Sequence, residues 1–365
     1  MVSSIEQCHS PIDKYAWCYC ASITKFPSCY CDALDDFSSC DDLLKKEILR
    51  VLMFLIGVSS LIGNLFVILS RIYKRDNSVQ TILIINLAVS DMLMAVYLII
   101  IASADIHYRG RYAQVARDWK NSFLCSFAGA ISTLSSECSV FLLMLMSINR
   151  ALNIFYPFKD RGLSRKQCRA IVVIAWLVWV VISFLPVVNK FTSFINISYF
   201  GKNYYGQQSV CLALPMTRSR WPGWEYAIAI FIAFNSFGFI VIAVSYVLIF
   251  MSIKRTASAA NRRRGREEDI KIAIKIGFIV FTDFCCWFPI ILMAIGSEIG
   301  WWRLSPEIYI WSATFIMPIN SSINPYLYTI VFWYCCSSKN TKPPVRAHPE
   351  VIPLQDMTHR NSTDK

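Results

Sequence analysis

Residues 269–289 read DIKIAIKIGFIVFTDFCCWFP. Asp269, Ala273, Ile276, Val280, Asp283 and Trp287 fall at i, i+4, i+7, i+11, i+14 and i+18, which is one stripe of a helix. The apolar run at 270–295 is long enough, at about 1.5 Å per residue, to cross a hydrocarbon core of about 30 Å. A membrane helix keeps a carboxylate such as Asp283 only where it faces other protein, so this helix belongs to a bundle. Pro289 removes a backbone donor and crowds the preceding turn, predicting a kink about which one half swings; the alternative is a static kink.

Six more such stretches occur, at 48–72, 82–104, 123–155, 170–188, 224–253 and 308–332. The predicted fold class is therefore all-α, an integral membrane seven-transmembrane helix bundle with a short interfacial helix after the seventh span. Composition agrees: 55% of the 365 residues are hydrophobic and 16% charged, against about 25% charged in a soluble domain. Lys and Arg cluster after the first span (Arg71, Lys74, Arg75), the third (Arg150, Lys159, Arg161, Arg165, Lys166, Arg169) and the fifth (Lys254, Arg255, Arg262, Arg263, Arg264, Arg266). These joins read as cytoplasmic, placing the amino terminus outside and the carboxyl terminus inside. The same bias accounts for the net charge of +12 without nucleic acid as a partner. The chain divides into a Cys-rich extracellular tail at 1–47, the transmembrane domain at 48–332, and an amphipathic helix with a disordered tail at 333–365.

Cysteine usage fits that orientation. Cys8, Cys18, Cys20, Cys29, Cys31 and Cys40 crowd the outer tail, where an even count suggests disulfides, with about 15 possible connectivities. A zinc site is the alternative, although the two C-x-C pairs lack the usual C-x-x-C spacing. Cys125 and Cys211 both lie on the oxidising face and form the natural pair, free thiols being the other reading. Asn196 begins an N-I-S sequon that is either glycosylated or unused. Cys335 and Cys336 sit where an interfacial helix would lie and are palmitoylation candidates, or unmodified.

Asp91 lies mid-span, where an unpaired carboxylate costs at least about 2.5 kcal/mol. Asn64, Ser139, Asn320 and Asn324 are oxygen-bearing residues on other spans that could surround a hydrated cation with it; the alternative is a buried hydrogen-bonded acid without an ion. Arg150 ends the third span, either paired with Asp269 across the helices or extended to the headgroups. No Gly-rich phosphate loop, H-E-x-x-H or G-x-S-x-G is present, so an enzyme is not expected.

Gly63-Asn64 in the first span, NLAVSD at 86–91, Cys125, Arg150, Trp176, CWFP at 286–289 and NPYLY at 324–328, in that order, resemble the rhodopsin-like (class A) G-protein-coupled receptors over about residues 45 to 338. CDDLLKKEILR, IASADIHY, ARDW, CSFAGAISTLSSECSVF and FTDFCCWFP look like the leucine-rich-repeat-containing subfamily of relaxin and glycoprotein-hormone receptors, and INPYLYTI leans to the relaxin side. The resemblance implies a sodium-type pocket of Asp91, Ser139, Asn320 and Asn324, no other cofactor, and an activation switch of Arg150, Asp269, Asp283, Trp287, Pro289, Tyr246 and Tyr328. Its implied partners are a heterotrimeric G protein, an extracellular peptide or protein ligand and the plasma-membrane bilayer. The resemblance also makes the Cys-rich tail at 1–47 hinge-like.

Two residues depart from the pattern: Asn149 stands where the family has an acid beside the arginine, and Gly238 where the fifth helix usually has proline. The first removes a restraint on Arg150 and predicts raised basal activity, weakened coupling being the alternative. The outer tail is too short for more than about two leucine-rich repeats and lacks their spacing, so the chain is either a fragment or a receptor without repeats. The rival functions are a non-signalling or truncated receptor and, from another class, an ion-coupled transporter, for which no internal repeat is visible.

Overall fold

The computed structural model describes residues 18–21, 28–31, 35, 37–156, 162–192, 199–201, 203–212, 222–257, 264–301 and 306–338, without the side chains of 18–21, 28–31, 189–192, 253–257, 264–276, 279, 283, 298, 306–307, 309, 313 and 328–338. Its long helices are α1 (Glu47–Tyr73), α2 (Val79–Tyr108), α4 (Phe123–Phe155), α5 (Arg165–Thr192), α7 (Asn235–Ala257), α8 (Arg264–Glu298) and α10 (Met317–Ser338); α3 (Tyr112–Asn121), α6 (Trp224–Ala227) and α9 (Pro306–Trp311) are short. Among the described residues, six helices are long and apolar enough to cross a membrane.

Local chemistry sets the helix starts. Ser78 caps α2 by accepting from Thr81 N (3.2 Å), and Ser122 caps α4 by accepting from Cys125 N (3.0 Å). The third span begins and ends where its sequence predicts, at Phe123–Phe155. α2 runs past its predicted end to Tyr108 and takes in Asp105 and His107. The fifth span is α6 and α7 joined through a π-helical turn, Ile228–Phe234, and a second π turn, Ser312–Ile316, joins α9 to α10. Such turns insert a residue and re-aim the side chains beyond them, here Asn235 at the start of α7. α8 passes through Pro289 as one helix.

α4 is the hub. Residues from Cys125 to Ile154 on it are buried almost throughout, whereas α1 shows Leu55, Ile62, Phe66 and Leu69 to the outside, as a lipid-facing helix does. Gly63 lets α1 approach α10, since a Cβ there would lie 2.8 Å from the Pro325 Cβ. Gly238 does the same between α7 and α4, with Val140 Cγ1 2.8 Å from a built Cβ. A small residue where proline was expected therefore has a packing role.

Two elements correct the sequence reading. β1 (Cys18–Ala21) and β2 (Ser28–Cys31) pair antiparallel in the tail, with Cys18 opposite Cys31 and Cys20 opposite Cys29, so the chain is not wholly α. The join after α2, to which the sequence reading assigned no element, contains α3, which buries Tyr112, Ala113, Ala116 and Trp119 on one face.

Candidate functional site

The middle of the bundle is a polar cluster on apolar walls. Asp91 is 1% exposed, and its Oδ2 accepts from Asn324 Nδ2 at 2.9 Å. Asn64 Nδ2 donates to the Ser321 carbonyl (3.0 Å), and Ser60 Oγ to the carbonyls of Ser321 (3.1 Å) and Asp91 (3.3 Å), so α1, α2 and α10 share one network. Ser90 and Ser135 exchange hydroxyl-to-carbonyl bonds at 2.7 Å each, locking α2 to α4 one turn from Ser139. Ser139 Oγ and Asn324 Oδ1 are buried oxygens with no protein hydrogen-bond partner among the described residues, and Asn320 is 4% exposed. Oxygen donors around a buried carboxylate suit a hard monovalent cation.

At the end where α4 closes, Arg150 is 7% exposed and its Nη2 donates to Gln80 Oε1 at the start of α2. Asn149 Oδ1 accepts from Leu163 N at 2.9 Å, so the residue that replaces the expected acid fastens the segment leading into α5. Tyr246 packs against Gly277, whose built Cβ would be 3.1 Å from its ring, and its hydroxyl is buried without a hydrogen-bond partner among the described residues. Trp287 is buried in the core of α8 and Pro289 is exposed. Asp269 and Asp283 lie on α8 and Tyr328, Cys335 and Cys336 on α10, all with side chains outside the described set; Asn196 lies outside the described residues altogether.

At the opposite end Cys125 and Cys211 form a disulfide with Cα atoms 5.4 Å apart. The segment around it fills the mouth of the bundle: Tyr205, Val210, Cys211 and Leu212 are buried. Tyr97 Oη donates to the Val210 carbonyl (2.9 Å), Trp119 Nε1 to that of Ser209 (2.8 Å) and Tyr205 Oη to that of Ser183 (2.7 Å). Cys211 sits at φ +55°, in the left-handed region uncommon for a residue with a side chain.

The tail before α1 docks on this lid. Asp35 accepts from Ser209 N (2.6 Å) and Ser209 Oγ (3.0 Å) and pairs with Lys120 at 2.7 Å. Phe37, Leu43 and Leu44 are fully buried, and Leu44 N donates to Asp105 Oδ1 at 2.8 Å. Asp105 is also ion-paired to Arg50 of α1.

Three members of these sites escaped the sequence reading. Arg50, two residues inside the first predicted span, and Asp105, one residue past the second, look like ordinary interfacial charges. Glu137 is different: it lies in the middle of α4, fully buried, with Oε1 accepting from Asn235 Nδ2 (3.3 Å) and Oε2 unpartnered among the described residues. An acid inside a span was the criterion that singled out Asp91, and it applied to Glu137 equally.

The sequence pattern of the 7 transmembrane receptor (rhodopsin family) matches residues 63–328. The chain is 43% identical over 291 residues to the G-protein coupled receptor GRL101 of Lymnaea stagnalis, covering 80% of this chain and 25% of that protein. It is 35% identical over 295 residues to relaxin receptor 1 of Rattus norvegicus (80% and 38%) and 32% over 298 residues to the lutropin-choriogonadotropic hormone receptor of Sus scrofa (80% and 39%). It thus spans well under half the length of these relatives. With a helical bundle organised around Asp91, Arg150 and the Cys125–Cys211 bridge, and a match extending from Gly63 to Tyr328, the chain belongs to the rhodopsin family of seven-transmembrane receptors.

Proposed function

We propose that the chain is a plasma-membrane receptor, amino terminus outside, that passes a peptide or protein hormone signal to a heterotrimeric G protein by outward movement of the inner half of α8. The observation that carries this reading is a bundle with its two ends in opposite conditions. The disulfide end is closed by its own loop and tail, which suits a signal delivered by a large ligand pressing on the lid. The other end holds an almost buried guanidinium, Arg150, by a hydrogen bond that a rearrangement can break. A ligand drives the change only by binding one packing better than the other. In this scheme Asp269 is a second restraint on Arg150, Asp283, Trp287 and Pro289 form the pivot, and Tyr246 and Tyr328 support the active packing. Asn196 carries glycan outside, and Cys335 and Cys336 are acylated to anchor an interfacial helix. Guanine-nucleotide exchange on G proteins in membranes bearing the chain tests the reading: exchange above that of empty membranes supports it, and none at verified surface display sinks it.

Asp91, Ser139, Asn320 and Asn324 would hold a sodium ion, whose charge offsets the buried carboxylate and favours the packing that keeps these residues together. The purified protein is then expected to melt at least about 1–2 °C higher in sodium than in potassium chloride of equal strength, as binding to the folded state alone requires. Asp91→Asn is expected to abolish the difference. An equal sodium effect in both proteins removes Asp91 from the site.

A further inference from the structure

We propose that Gln80 is a positioning residue for Arg150, supplying from α2 a charge-neutral restraint beside the one assigned to Asp269; the functional consequence rests on the signalling reading above. Arg150 sits at a helix end, where an arginine ordinarily extends its guanidinium into water or headgroups. It is instead 7% exposed, with Nη2 donating to Gln80 Oε1 on a different helix, 70 residues away in sequence. An acceptor can hold a guanidinium inward only if it is carried on a fixed backbone, and the turn that carries Gln80 is fixed.

Gln80 is the second residue of α2, in a first turn tied by several polar contacts. Ser78 Oγ accepts from Thr81 N (3.2 Å); Asp76 Oδ2 accepts from Thr81 Oγ1 (2.6 Å) and Ser78 Oγ (3.0 Å), and Asp76 Oδ1 from Ser78 N (3.0 Å). The Thr81 hydroxyl holds the Asp76 carboxyl below its ordinary range, so this knot stays ionised and intact at neutral pH. On the other side of Arg150, Asn149 is committed to Leu163 N at 2.9 Å. The arginine is therefore set between two carboxamides, one gripping it and one fastening the following segment. A carboxamide accepts from a guanidinium without the charge assistance of a carboxylate, so this restraint is weaker than an ion pair would be. Strengthening or deleting the acceptor should move the balance of the two packings in opposite directions.

The experiment uses the full chain at matched surface display. Gln80→Ala is expected to raise ligand-independent nucleotide exchange about fivefold, the factor that corresponds to losing a restraint of ordinary strength. Gln80→Glu, which makes the bond charge-assisted, is expected to lower exchange below native. A thermal cycle on purified protein reads the contact itself without any G protein: Gln80→Ala and Arg150→Ala should each lower the melting temperature by about 2 °C, and the double variant by no more than the larger single loss. Exchange unchanged in both Gln80 variants, or shifted the same way, overturns the proposal, provided Arg150→Ala abolishes the native signal. If every variant including the native chain is silent, the signalling reading fails and the thermal cycle alone decides the restraint: additive losses overturn it, and non-additive losses uphold it.

Discussion

Replacing Asp105 with alanine is expected to leave most of the protein inside the cell. The carboxylate is fully buried, accepts from Leu44 N at 2.8 Å and pairs with Arg50, whose side chain is 8% exposed. Removing it strands a buried guanidinium and an amide together, and breaking a buried pair from one side costs about 3–5 kcal/mol. That is a large share of the roughly 5–15 kcal/mol that holds a folded protein together. Arg50 retains Asp42 at 3.7 Å and Glu47 at 3.5 Å, but the side chain of Glu47 is 69% exposed and cannot replace an interior carboxylate. Surface staining relative to total protein should fall more than about threefold for Asp105→Ala. The double change Arg50→Met with Asp105→Leu should recover part of it, because neither charge is then buried alone. Glu47→Ala, which deletes an exposed pair with Arg109 at 3.1 Å, should stay within about 1 kcal/mol of native. Normal display of Asp105→Ala would show that the joint between tail, α1 and α2 does not support folding.

The second large effect is at Gly129. A Cβ on this residue would lie 2.4 Å from the Cys211 carbonyl oxygen and 2.5 Å from the Tyr205 ring. Neither can move cheaply: Cys211 is bonded to Cys125, four residues before Gly129, and Tyr205 Oη is held by the Ser183 carbonyl at 2.7 Å. Overpacking of this kind costs about 1–3 kcal/mol, so Gly129→Ala should lower the melting temperature of the purified receptor by about 1–4 °C. It should also loosen the lid, which limited proteolysis of the 199–212 segment would read. Gly110→Ala is the informative comparison. Gly110 has φ +73° but nothing within 4 Å of a built Cβ, so it carries only the left-handed penalty of about 1–2 kcal/mol and leaves the lid intact. If proteolysis is unchanged in Gly129→Ala, the loop is not seated against α4 in this way.

Much of this architecture was legible because a bilayer makes sequence explicit. Backbone groups must be satisfied within the helix, so spans announce themselves by length, and the third begins and ends where its apolar run does. Intramembrane acids announce themselves by cost, which is how Asp91 stood out and how Glu137 should have. The two π turns were not legible, since IAIFIAF at 228–234 and SATFI at 312–316 read like any apolar helix. α3 was hidden by its polar exposed face, although Tyr112, Ala113, Ala116 and Trp119 carry the helical spacing. The strand pair in the tail left its trace in the alternation of the two C-x-C segments. Partnerships across the chain were least visible. Asp35 with Ser209, Arg50 with Asp105 and Gln80 with Arg150 join residues 174, 55 and 70 positions apart, which no local pattern encodes. The loss of an acid at Asn149 suggested a freed arginine; the structure shows that the amide does other work, fastening Leu163.

In the proposed function Arg150 is the element a heterotrimeric G protein reads once α8 moves away. Its most direct test is ligand-independent nucleotide exchange at matched surface display in the native chain, Asp269→Ala and Arg150→Ala. Native exchange is expected to be measurable, to rise with Asp269→Ala and to fall to background with Arg150→Ala. Exchange that persists undiminished without Arg150, or silence in all three proteins although each is displayed, would contradict it.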